Sequence, residues 1–147
     1  MRIIVDTNIA FSAILKSNSL IAQIILQPKS RLNFYSTELL NREIYDHRLK
    51  LKKLSGSSDF ELNRSTSLII NRIKFIDAHL IPPKIFLNSE KLLKDIDIDD
   101  TEFVALTNYM NTKLWSGDKL LKKGLAKKNW KKFITTEELY RLTLKHR

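Results

Sequence analysis

The chain has 147 residues, 43% of them hydrophobic and 29% charged, a balance that suits one folded domain over residues 1–147 and excludes a disordered chain. Its formal net charge of +10 favours polyanionic partners, and the absence of cysteine excludes disulfides and thiolate metal sites. No apolar run approaches the roughly 20 residues of a membrane span, and Arg2 is not followed by an apolar stretch ending in a small-residue cleavage site, so a cytoplasmic protein without a signal peptide or membrane anchor is expected.

In chain order, residues 2–6 read as a buried strand. "SNSLIAQIILQ", 17–27, places Leu20, Ile21, Ile24 and Ile25 at helical spacing behind a Ser or Asn cap. "LNFYS", 32–36, is a second strand. Thr37 then caps a helix in which Leu39, Leu40, Glu43, Ile44, His47 and Leu51 share a broad face. Ser57 or Ser58 starts another helix, with Leu62, Leu68, Ile69 and Ile73 as its buried positions. "FIDAHLI", 75–81, has the composition of a third strand, and the prolines that follow should interrupt regular structure. Thr101 to Tyr109 is helical with Phe103, Val104, Leu106 and Thr107 inward. "KLWS", 113–116, is a fourth strand, "DKLLKKGLAKK" a helix with Gly124 near its end, and "KKFI" a short fifth strand. Thr135 or Thr136 caps the last helix, with Glu138 or Glu137 placed for a capping box. Strands alternating with helices argue an α/β fold with a parallel sheet covered on both faces, and ligands of such sheets bind beyond the carboxyl ends of the strands.

The charge is unevenly spread. Residues 113–147 hold eleven Lys or Arg against three acids, whereas residues 95–102 hold five acids and no base. Acids also stand where strands end: Asp6 after the first and Asp118 just past the fourth. Glu43 lies on the inward face of its helix, and Asp97, Asp99 and Asp100 lead into the helix at 101. Each acid taken alone fits a structural role: Asp6 and Asp118 as helix caps, Asp99 and Asp100 as partners of a helix dipole, Glu43 as a solvated helix residue. Together they recur at one end of one inferred sheet, if the first and fourth strands are neighbours. Converging carboxylates repel one another unless a cation neutralises them, and oxygen donors without Cys or a suitably placed His point to Mg²⁺ or Mn²⁺. An acidic metal pocket in a basic protein suits a nuclease, the pocket holding metal and the surroundings holding phosphates.

In this order, "IIVDTNIAFSAIL", "FYSTELLNREI", "DIDIDDTEFVAL" and "LWSGDKLL" resemble the PIN domain family over essentially the whole chain. The resemblance implies a three-layer α/β/α sandwich with a central parallel sheet of four to five strands. It also implies a Mg²⁺- or Mn²⁺-dependent endoribonuclease, of the kind found as the VapC-type toxin of type II toxin–antitoxin pairs. Carried over by position, Asp6, Glu43, Asp100 and Asp118 are the four acids. Asp97 is a further ligand candidate, and the choice among Asp97, Asp99 and Asp100 stays open. Asn8 would orient ligands or water, and Ser116 matches the family's small hydroxyl near the last acid. Water activated among these acids would cleave RNA to leave a 5′-phosphate and a 3′-hydroxyl. Lys119, Lys122, Lys123, Lys127 and Lys128, just past the last acid, are candidates for tracking an RNA backbone, although a solvated helix face explains them equally. Homodimerisation and a small antitoxin whose Arg or Lys fills the acidic pocket are the expected partnerships.

Two other readings compete. One is a PIN-like module that binds RNA without cutting it, and another is an RNA-processing nuclease outside any toxin pair. A small-molecule phosphohydrolase is disfavoured, because Asn8 breaks the Asp-x-Asp pattern, and a P-loop enzyme is disfavoured because the chain has only three glycines.

Overall fold

The computed structural model describes residues 1–28 and 31–145; Arg147, the last basic residue of the 113–147 stretch, lies outside the described residues. The chain begins with β1 (Arg2–Val5), α1 (Thr7–Leu15), α2 (Leu20–Leu26) and β2 (Asn33–Thr37). Helices α3 (Glu38–Asp46), α4 (Arg48–Ser55) and α5 (Asp59–Ile70) lead to β3 (Ile73–Ile76). Next come α6 (Pro83–Leu93), α7 (Thr101–Met110), β4 (Lys113–Trp115), α8 (Lys119–Lys127), β5 (Phe133–Ile134) and α9 (Thr136–Lys145). The five strands form one all-parallel sheet in the order β3-β2-β1-β4-β5.

That order explains the apolar run at the start. β1 is the central strand, and Ile3, Ile4 and Val5 are completely buried because helices cover both faces of the sheet. The chain steps from β1 outward to β2 and β3, then returns across the sheet to β4 and continues to β5. Right-handed crossovers place the helices of the outward and return paths on opposite faces, giving three layers. α7 packs on β1, β2 and β4 with α6 beside it, whereas α1 packs against α2, α3, α4 and α5. The direction of winding reverses between β1 and β4, and a crevice opens there at the carboxyl ends of the two strands.

Local chemistry sets the element ends. Ser19 accepts from the Ala22 N–H at 3.2 Å and caps α2. Ser58 and Glu61 form the capping box of α5, and Thr135 with Glu138 forms that of α9, both bonds at 3.1 Å. Gly56 ends α4 with φ +66°, a conformation that favours glycine.

Several sequence expectations change. The segment 75–81 is not a strand: β3 occupies Ile73–Ile76, and Asp77 caps a 3-10 turn at Ala78–Leu80. Ile73 accordingly belongs to the sheet rather than to α5, and Leu68 is 49% exposed. The prolines start a helix as well as ending a turn, because Pro83 occupies the first turn of α6, where a missing N–H costs nothing. The expected long helix after Thr37 is two, divided at His47, whose backbone N–H and ring Nδ1 both bond the Glu43 carbonyl. Thr37 stands at the N-cap of α3 but makes no side-chain cap bond, and its Oγ1 is buried without a hydrogen-bond partner. Gly124 lies inside α8, not at its end.

Among the described residues no single helix is long and apolar enough to cross a membrane; α1 and α2 meet that test only together, and they meet at 103°. Phe103 on α7 is 1% exposed beneath the sheet. Phe103→Ala is expected to cost about 3–5 kcal/mol in chemical denaturation through the cavity left behind; a loss below about 1 kcal/mol would show that α7 does not close the core.

Candidate active site

Register builds the first half of the site. Val5 pairs with Trp115, and the Asp6 N–H continues the ladder to the Trp115 carbonyl at 3.4 Å. Asp6 therefore leaves β1 beside Ser116, and Asp118 follows two residues later. The Ser116 hydroxyl, 2% exposed, joins these acids: it hydrogen-bonds the Asp6 carboxylate and accepts from the Asp118 N–H at 3.1 Å. Both acids also cap helices. Asp6 Oδ1 accepts from the Ile9 N–H at 3.0 Å, and Asp118 Oδ1 from the Leu121 N–H at 3.1 Å. The capping role weighed against function for each is real, and it fixes the carboxylates without removing them from the pocket. On the other side, the Ser36 hydroxyl of β2 donates to the Val5 carbonyl at 2.8 Å and steadies the strand end before Asp6.

Glu43 reaches the site from α3. Its Oε1 accepts a 2.8 Å hydrogen bond from the hydroxyl of Thr7, the first residue of α1. Sequence reasoning named Asn8 and passed over Thr7; the available signal was a hydroxyl directly after the strand-end acid. Asn8 is exposed and lines the same pocket. The loop before α7 supplies the remaining acids. Asp97 caps a 3-10 turn at Ile98–Asp100 by accepting from the Asp99 N–H at 3.1 Å.

The result is a hollow of about 160 Å³ lined by Asp6, Thr7, Asn8, Glu43, Asp97, Asp99, Asp100 and Asp118. Carboxylate oxygens of Asp97, Asp100 and Asp118 lie within 4.8 Å of one another, close enough to share one cation. Asp99 lines the hollow but is not in that trio.

Electrostatics match this geometry. Burial pushes the Asp6 carboxyl up to about 6, against the hydrogen bonds from Ser116 and Ile9, with Asp118 and Glu43 adding repulsion. Burial pushes Asp100 up to about 7, reinforced by the charges of Asp97, Asp6, Asp118 and Glu43. A bound cation would oppose both effects. Oxygen donors, with no Cys or His lining the hollow, fit a hard divalent cation.

Of the five lysines singled out on α8, Lys119, Lys123 and Lys127 are exposed and Lys122 is half-buried. Lys128 is turned back: its ammonium pairs with Asp95 and donates to the Leu92 carbonyl at 2.7 Å. Trp115 and Trp130 are buried in the core.

The raised carboxyls predict a pH dependence. Both acids hold protons more tightly folded than unfolded, so their penalty is absent below about pH 4 and grows as pH rises toward 7. For Asp6, moving from 3.8 to about 6 corresponds to roughly 3 kcal/mol once the group is ionised. In EDTA, the fall in Tm between pH 5 and pH 8 should be smaller for Asp6→Asn than for wild type, and divalent metal should reduce it in wild type. Equal falls in both proteins would contradict the buried-charge account.

No curated protein matches the chain. A family model described as PIN domain matches residues 4–140, nearly the whole chain and every acid of the cluster. With the parallel sheet and the acidic hollow at its switch point, this places the chain in the PIN domain family, whose fold is of the nuclease type.

Proposed function

We propose that the protein is a Mg²⁺- or Mn²⁺-dependent endoribonuclease and the toxin of a type II toxin–antitoxin pair. The observation that carries the nuclease reading is the hollow of carboxylates at the β1–β4 crevice in a chain of net charge +10. Asp97, Asp100 and Asp118 would hold a cation, with Asp6 and Glu43 beside them. When bound, a divalent cation supplies Lewis acidity, lowering the pKa of water and neutralising charge on a phosphodiester.

The chain's own groups do the rest. Thr7 fixes the rotamer of Glu43, and Ser116 fixes Asp6 relative to Asp118. Asn8 offers an exposed amide at the rim to orient water or a phosphate oxygen. Lys119, Lys122, Lys123 and Lys127 follow Asp118 on α8 and provide the positive path for RNA phosphates that the hollow itself repels. In-line attack by water would leave a 5′-phosphate and a 3′-hydroxyl.

A groove supports the toxin reading. From the hollow, a depression of about 320 Å³ lined by Glu43, Phe86, Asp99 and Glu102 runs into a larger one of about 920 Å³. The latter joins Leu39, Phe75, Phe86 and Leu87 to three acids, Glu38, Asp77 and Glu102, with Arg42 and His79 also on its rim. Apolar walls with acidic edges suit an antitoxin segment that lays down apolar side chains and extends Arg or Lys to the acids. Exposed Leu20, Phe60 and Leu68 are available to a homodimer contact.

The test is cleavage of labelled single-stranded RNA with Mg²⁺, with Mn²⁺ and with EDTA. Wild type should cut only with metal, and Asp6→Asn should abolish cutting while remaining folded. A fully active Asp6→Asn protein rejects the mechanism, and RNA bound but never cut favours a binding module. Thr7→Val, which keeps the shape but loses the hydroxyl, should lower the rate about 10- to 100-fold; an unchanged rate would remove Thr7 from the mechanism. Cleavage unaffected by any protein encoded beside it would favour a processing nuclease over a toxin.

A further inference from the structure

Helix α8 meets the acidic loop at three points along its length. Its N-cap is Asp118, whose carboxylate shares the trio with Asp97 and Asp100. In its middle, Gly124 lies against Ile96, the residue before Asp97. Just past its end, Lys128 grips Asp95 and the Leu92 carbonyl. The segment bearing Asp97–Asp100 is therefore held by the same helix that carries Asp118.

Gly124 is otherwise unexplained. Glycine is unfavourable inside a helix, and α8 continues past it to Lys127. Space supplies the reason. A Cβ at position 124 would lie 2.7 Å from Ile96 Cδ1, 2.9 Å from Cγ1 and 3.2 Å from Cγ2. Both branches of the isoleucine are involved. Turning χ1 among its three staggered wells always leaves one of those two positions filled, at best the one 3.2 Å away, so rotation relieves the closest contacts but leaves a tight one. The loop or the helix then has to give by a few tenths of an ångström.

We propose that Gly124 and Lys128 are positioning residues that set the distance between Asp118 and the Asp97–Asp100 carboxylates, and thereby the affinity of the cluster for a divalent cation. The proposal rests on the metal-dependent reading above. It gives Lys128 a task other than binding RNA, and it makes a small residue at position 124 a requirement of the site rather than of the helix.

The experiment is calorimetric titration of EDTA-stripped, dialysed full chain with Mn²⁺ alone, without RNA, with circular dichroism and metal-free Tm measured alongside. Gly124→Ala should bind Mn²⁺ about 10-fold more weakly, with a circular dichroism spectrum like wild type and a cooperative metal-free transition, because the helix gain of Ala offsets part of the overpacking strain. Gly124→Ala with Ile96→Ala, which removes the three colliding atoms, should recover most of that affinity. Lys128→Met should also bind more weakly. Gly124→Ala binding within twofold of wild type overturns the proposal, as does a double variant no better than the single. If Gly124→Ala does not fold, Lys128→Met decides, and wild-type affinity there overturns the proposal. Failure of wild type to bind Mn²⁺ at all overturns the metal-dependent reading itself, a result distinct from variants that bind as wild type does.

Discussion

The pairing of Val5 with Trp115 is the constraint from which the site follows. It makes β1 and β4 neighbours although they are more than a hundred residues apart, and it brings Asp6 level with Ser116. Because side chains alternate along a strand, a slip of one residue would turn Asp6 away and bury the wrong face. The slip is resisted from both sides of β1. Ile3, Ile4 and Val5 are wholly buried, and Ser36 on β2 bonds the Val5 carbonyl. The hydrophobic core thus specifies a polar site that it does not itself contain.

The site works against the stability of the scaffold. Asp6 and Asp100 resist ionisation because they are desolvated and crowded by other acids, so the pocket is least comfortable at neutral pH without a counter-charge. The fold tolerates this through fixed partners: two helix N-termini, the Ser116 hydroxyl and the Thr7 hydroxyl. Those partners orient carboxylates, and none of them carries the positive charge that would neutralise the cluster. Basic side chains stand outside the hollow instead, Lys119, Lys123 and Lys127 among them on the exposed side of α8. On the proposed function, that separation would let the surroundings hold a polyanion while the hollow holds a cation.

Much of this was legible in the sequence where chemistry leaves a local signature. Asp6 follows a short apolar run directly, Asp118 stands three residues past another, and Glu43 interrupts an apolar helical face between Leu40 and Ile44. Such placements are visible without coordinates. The sheet order was inferable only as a condition, that strands one and four be adjacent. Thr7 escaped because its role depends on a partner 36 residues away. The β3 boundary was missed because apolar residues recur on both sides of Asp77 in "IKFIDAHLI", and Asp77 ends the strand by capping a turn, which composition does not reveal. α6 was missed because two prolines read as a stop, and only position distinguishes a proline that ends structure from one that begins it.

The acids of the hollow come from four separate parts of the chain: the end of β1, the middle of α3, the loop before α7 and the start of α8. No contiguous fragment short of Asp6 to Asp118 contains them all. During synthesis the cluster therefore cannot close until Asp118 has emerged from the ribosome. A nascent chain that stops short of Asp118 carries the end of β1, α3 and the loop before α7 without the last acid they converge on. The topology thus makes the site a product of the assembled sheet and of no single segment.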